Sequence, residues 1–120
     1  MKAVNDDVLS EGLSLLFVYG SLKRGQANHG KLGGAPFVSV TRTVAQFALR
    51  LVESYPALSP GVRSIGGELF WVSPARLSLL DEFEGDGYIR AEIDLVDGRR
   101  AVSYVSRVPD AGLPLEGDEW

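Results

Sequence analysis

Two short stretches hold residue types whose spacing could do chemistry. The first is Tyr19-Gly20-Ser21-Leu22, where an apolar run breaks at a glycine. A glycine directly after a buried strand lets the chain turn sharply and leaves successive amides without sheet partners. Such amides form a concave nest for a carboxylate or a developing oxyanion. The plainer reading of the same residues is a tight strand-ending turn. The second stretch is Leu80-Asp81-Glu82-Phe83-Glu84-Gly85, three carboxylates at the end of a predicted helix. The helix dipole disfavours negative charge there, and such local conflicts are enriched at functional sites. Glu84 lies four residues after Leu80 and seven after Leu77, near the face that packs, whereas Asp81 and Glu82 read as solvent-facing. A partly buried carboxylate at that pole has a raised pKa and suits proton transfer near neutral pH. The alternative is an acidic helix end neutralised by an arginine.

Other candidates carry less. Tyr88 and Arg90 share one strand face with Glu92; Tyr88 could flank a pocket and Arg90 could pair with an acid. Ser21 and His29 are eight residues apart, but the chain has no G-x-S-x-G elbow and no evident acid to orient the imidazole, which argues against a serine hydrolase. Lys23-Arg24 is either a basic corner facing an acidic ligand or solvated loop charge.

The elements that position these residues follow from pattern. Leu15 to Tyr19 is a continuous apolar run, as in a strand buried on both faces. Pro36 to Phe47 and Ala48 to Val52 read as strands, Glu53 to Ser64, with Pro56, Pro60 and Gly61, as a surface loop, and Ile65 to Val72 as a strand. Gly66-Gly67 marks a bulge or a close backbone approach. Ser73 is a good N-cap with Pro74 at the first helical position, and Leu77, Leu80 and Phe83 line one helix face. Tyr88 to Val96 alternates, and Asp97-Gly98 predicts a two-residue hairpin turn before Arg99 to Val108. Five or six strands, one clear helix and a short helix near residues 28–33, without regular βαβ alternation, predict an α+β domain with a mixed, mostly antiparallel sheet.

Composition bounds the rest. The chain has 120 residues, 45% of them hydrophobic, which suits one globular domain. It contains no cysteine and one histidine, which excludes thiol nucleophiles, cysteine-ligated clusters and a multi-histidine zinc site. The net charge of −4 is uneven: residues 1–13 carry −2, residues 109–120 carry −4 and the remainder +2. We therefore expect an N-terminal arm over 1–13, a folded domain over 14–108 and an acidic tail over 109–120. Without a basic stripe, nucleic acid is not an expected partner. No apolar run approaches the ~20 residues of a membrane span and the N-terminus does not read as a secretory signal, so the expected location is cytoplasmic.

Together the motifs resemble a known family. Phe17-Val18-Tyr19-Gly20-Ser21-Leu22-Lys23-Arg24-Gly25-Gln26, with Asn28-His29 beyond it, is similar to the opening signature of the gamma-glutamyl cyclotransferase-like superfamily, most of all its gamma-glutamylamine cyclotransferase branch and bacterial relatives. Gly67-Glu68-Leu69-Phe70 resembles that family's G-E-[VL]-[YF] strand, and Leu80 to Gly85 followed by Tyr88-Ile89-Arg90 resembles its L-D-x-F-E-G…Y-x-R segment. The resemblance runs from about residue 15 to 107. It implies a small mixed β-barrel flanked by one or two helices, and an enzyme without cofactor or metal. In that reaction the α-amine of a γ-glutamyl group attacks its own γ-carbonyl, yielding 5-oxoproline and a free amine. By position, the resemblance puts the catalytic glutamate on Glu84, the substrate-binding turn on Tyr19, Gly20, Ser21 and Leu22, and a pocket-edge tyrosine on Tyr88. The partner it implies is a small γ-glutamyl substrate. A non-catalytic module that binds a γ-glutamyl or other acidic metabolite is the alternative on the same fold.

Overall fold

The computed structural model describes residues 12–120, so the expected N-terminal arm lies, apart from its last two residues, outside the described residues. Eight strands and one α-helix follow in order: β1 (Ser14–Val18), a 3-10 turn (His29–Leu32), β2 (Phe37–Arg42), β3 (Phe47–Val52), β4 (Tyr55–Pro60), β5 (Gly66–Val72), α1 (Pro74–Glu84), β6 (Tyr88–Asp94), β7 (Arg100–Ser106) and β8 (Leu113–Pro114). The strands form one sheet in the order β2-β5-β1-β7-β4-β3-β8, with β6 also pairing β7. Among the described strands only β1–β7 and β4–β7 are parallel. The α+β class and the mostly antiparallel sheet are as expected. The expected barrel is not: β2 and β8 end the path unpaired with each other, so the sheet stays open.

β1 lies inside the sheet, between β5 and β7, as suits a strand with apolar residues on both sides. Leu16 and Val18 pack with Phe70, Val72, Leu77 and Leu80, while Phe17 and Tyr19 pack with Leu49, Leu58, Leu69 and Ile93. Each such side chain contributes roughly 1.5–3 kcal/mol when fully buried. Gly67 is the close approach expected of Gly66-Gly67. A Cβ there would stand 2.3 Å from the Val18 carbonyl oxygen, so only glycine lets β5 lie this near the end of β1.

The helix starts as its sequence dictates. Ser73 accepts a hydrogen bond from the Arg76 amide at 3.1 Å, Pro74 opens the first turn, and Gly85, at φ 78°, closes the last. Leu77 and Leu80 are buried, but Phe83 is 39% exposed. The hairpin also forms, with a longer turn than the two-residue one expected: Leu95 and Arg99 are bonded across Val96-Asp97-Gly98, and Gly98 takes φ 91°.

The predicted surface loop over Glu53 to Ser64 is the clearest departure. Its middle is β4, with Pro56, Ala57, Leu58 and Ser59 all buried. β4 pairs with β3 along all six of its residues but meets β7 only at Leu58↔Val105, and the Leu58 amide bonds the Tyr19 hydroxyl instead of β3. Pro56 and Pro60 share the parity of Leu58, so their missing amide protons fall on the side away from β3 and cost no β3–β4 ladder bond.

Candidate active site

The end of β1 and the end of α1 meet at a cavity of about 420 Å³, lined by Tyr19 to Leu22, Asn28, the β3–β4 turn from Val52 to Pro56, Phe83, Glu84, Asp86, Gly87, Tyr88 and Tyr104. The six residues that the resemblance assigns to the site, Tyr19, Gly20, Ser21, Leu22, Glu84 and Tyr88, are on its wall, whereas His29, Lys23, Arg24 and Arg90 are not.

The turn after β1 directs its carbonyls inward to the loop. Gly20 O accepts from the Lys23 amide at 3.1 Å, Ser21 O from the Asn28 amide at 2.9 Å, and Leu22 O from His29 Nδ1 at 2.9 Å. The amides of Gly20, Ser21 and Leu22 have no acceptor among the described residues. Lacking a side chain, Gly20 lets the turn sit against Pro56, where a Cβ would come within 2.6 Å of the proline Cγ. Tyr19 fixes the strand end from below. Its buried hydroxyl donates to Tyr104 O at 2.5 Å and accepts from the Leu58 amide at 3.0 Å, so it is spent on the scaffold.

Glu84 stands opposite in chemical character. Burial raises its carboxyl from 4.5 to about 7. Neither a hydrogen bond nor a cation from the described residues opposes that shift. The arginine that could have neutralised the helix end goes elsewhere: Arg90 Nε pairs with Asp81 Oδ1 at 2.9 Å. Asp81 is therefore not simply solvent-facing, because it also accepts from the Tyr104 hydroxyl at 2.6 Å. Tyr88 donates to Pro56 O at 3.0 Å, which ties the strand after the helix to the β3–β4 turn. Its hydroxyl is pushed up to about 12 by burial first, then by the Glu84 and Glu53 charges.

Ser21 and His29 are not joined as a nucleophile and base. Ser21 Oγ accepts from Asn28 Nδ2 at 2.9 Å, while His29 turns to Leu22 O and packs on Phe70 at 5.6 Å between ring centroids. Nor do Lys23 and Arg24 form a free basic corner. Lys23 Nζ donates to the Trp120 main-chain oxygen, and Arg24 pairs with Glu68 while lying 3.6 Å over the Phe37 ring.

Sequence reasoning missed Glu53, Asp86 and Tyr104 on the cavity wall. Tyr104 sits in an ordinary alternating strand and carries no local signal. Glu53 does carry one in its backbone: at φ 58° it is the only non-glycine residue in the left-handed region among those described. That conformation costs roughly 1–2 kcal/mol, and such strain clusters at functional sites. Among the described residues, no three His, Asp or Glu side chains gather as metal ligands, and no helix is long and apolar enough to cross a membrane.

Several known proteins are similar to this chain. A gamma-glutamylaminecyclotransferase of Homo sapiens is 39% identical over 82 residues, covering 60% of this chain and 54% of that protein. A gamma-glutamylcyclotransferase family protein of Escherichia coli is 32% identical over 108 residues, covering 88% and 94%. The chain spans only about three fifths or less of the human protein and of the first curated relatives it matches. The crystal structure of an AIG2-like protein of Mus musculus has the same fold, with a TM-score of 0.76, 23% identity and coverage of 92% and 89%. The family model described as gamma-glutamyl cyclotransferase, AIG2-like, matches residues 16–120 and so extends beyond the resemblance read from the sequence, which ends near residue 107, through the acidic tail. The chain belongs to that gamma-glutamyl cyclotransferase, AIG2-like, family.

Proposed function

We propose that the protein is a cofactor-independent γ-glutamyl cyclotransferase in which Glu84 is the general acid and base and the amides of Gly20, Ser21 and Leu22 hold the substrate's anionic oxygen. The observation that carries this reading is a carboxyl raised to about 7, without a protein partner among the described residues, on the same cavity wall as three unspent amides.

Ring closure places nucleophile and electrophile in one molecule, so the enzyme has to fold the substrate and move protons. Glu84 accepts a proton from the substrate's α-ammonium. The freed nitrogen attacks the γ-carbonyl carbon, the new C–N bond closes a five-membered ring, and the carbonyl oxygen takes up negative charge against the amides. The C–N bond to the departing amine then breaks as the carbonyl reforms. Two protons leave the α-nitrogen in all and both end on the departing nitrogen, so 5-oxoproline and an alkylammonium are released with atoms and charge balanced. A group titrating near 7 is matched to both directions of transfer.

Incubation with a panel of γ-glutamylamines and γ-glutamyl amino acids, with 5-oxoproline measured directly, tests the reading. Formation of 5-oxoproline supports it. Saturable binding without product would assign the cavity to a metabolite-binding module instead.

A further inference from the structure

The segment after β8 is fastened at five of its six residues, Leu115 and Gly117 to Trp120. Leu115 N donates to Leu49 O at 3.0 Å, and Arg63 donates to Gly117 O at 2.9 Å. Gly66 N donates to Asp118 O at 2.8 Å while Arg42 pairs with the Asp118 carboxylate at 2.6 Å. Glu119 lies over Gly66, where a Cβ would come within 2.7 Å of its Oε2. The chain arrives at the turn after β1: Lys23 Nζ donates to the Trp120 main-chain oxygen at 2.7 Å, and the indole Cδ1 is 4.0 Å from where a Gly20 Cβ would stand.

We propose that Leu115–Trp120 is a clasp that fixes the amide nest, with Trp120 a positioning residue that acts through Gly20 and Lys23. The turn needs such a device. The amides of Gly20, Ser21 and Leu22 have no acceptor among the described residues, and these residues line the cavity, so no ladder bond holds the amides in place. Arg24, paired with Glu68, anchors the far side of the turn, and Pro56 supports Gly20 from β4. Trp120 supplies the remaining side and grips Lys23 at the same time. Amides that stabilise a developing charge act only when fixed in advance, and misplacement by about 1 Å costs on the order of a hundredfold in rate. The catalytic consequence rests on the cyclotransferase reading; the clasp itself does not.

The test compares Trp120→Ala, Trp120→Phe and Lys23→Met with the wild type, following the backbone amide resonances of Gly20, Ser21 and Leu22 by NMR in the free protein. Trp120→Ala should shift or broaden these signals, Trp120→Phe should restore them, and Lys23→Met should move them in the same direction. In the 5-oxoproline assay, kcat/KM of Trp120→Ala should fall by about ten- to a hundredfold, with the acidic limb near pH 7 kept because Glu84 is untouched. Unmoved amide signals in Trp120→Ala, or an unchanged kcat/KM in an otherwise active enzyme, would overturn the clasp. If the wild type forms no 5-oxoproline, the cyclotransferase reading falls and the amide signals alone decide. If Trp120→Ala does not fold, Lys23→Met decides, since it removes one bond at the partly exposed turn.

Discussion

Arg90 reaches Asp81, with 2.9 Å between Nε and Oδ1, and so leaves Glu84, three residues further along the helix, without a cation among the described residues. A carboxylate paired with a guanidinium is held low; a desolvated one with no partner rises. The choice of Asp81 over Glu84 as the arginine's partner is thus what allows Glu84 to titrate near neutrality.

Stability should depend on pH through this group. The folded protein holds the Glu84 proton up to about pH 7, whereas the unfolded chain releases it near 4.5. Between those values the folded state binds more protons, so the Glu84 contribution to stability is complete below pH 4.5 and is lost as pH rises through 7. The loss is on the order of 3 kcal/mol. Glu84→Gln should remove it, and urea unfolding of the variant should show higher stability than wild type above pH 7 and little difference near pH 4.

Asp81→Asn removes the carboxylate that holds Arg90. The freed guanidinium should turn toward the remaining helix-end acid, and the Glu84 carboxyl should fall toward the ordinary range. The acidic limb of kcat/KM is then expected to move to lower pH, and a limb left near pH 7 would mean that Arg90 does not hold this balance.

Gly20→Ala should distort the nest. The added methyl would meet Pro56 Cγ at 2.6 Å, and a proline ring cannot swing aside. Overpacking of this kind costs about 1–3 kcal/mol. Thermal unfolding should register that loss, and kcat/KM should drop further than stability explains because the amides move with the turn.

Much of this arrangement was legible in the sequence where local signals agree. Leu15 to Tyr19 is apolar on both faces and becomes an interior strand between β5 and β7. Ser73-Pro74 and Gly85 bound the helix that delivers Glu84. Glu84 stands out in the sequence because an acid at a helix C-terminus near the buried face contradicts the helix dipole, and it lies on the cavity wall. The misses have one physical cause: they depend on partners distant in sequence. Tyr55 to Pro60 resembles a loop because of its prolines and becomes a strand only when β3 and β7 flank it. Tyr104 looks like any strand residue until the fold sets its hydroxyl against Asp81. The open sheet and the fastened tail likewise follow from long-range pairing that periodicity does not report.

The charge of the wall should select among substrates. Glu53, Glu84 and Asp86 line the cavity, and no lysine, arginine or histidine does so among the described residues. A departing amine that carries its own carboxylate meets repulsion there, which neutral or cationic amines avoid. γ-Glutamyl alkylamines should therefore be turned over faster than γ-glutamyl α-amino acids, by roughly five- to tenfold, about 1 kcal/mol of interaction near a solvated surface. Glu53→Gln should narrow the ratio, and added salt should narrow it as well.

The most direct test is the rate of 5-oxoproline release from a γ-glutamylamine, measured across neutral pH for the wild type and for Glu84→Gln shown to be folded. The wild-type kcat/KM should rise with pH through about 7 as Glu84 loses its proton, and Glu84→Gln should lose that limb together with about 10²–10⁴-fold of the rate. A folded Glu84→Gln protein that keeps wild-type turnover and the same pH profile would contradict the account.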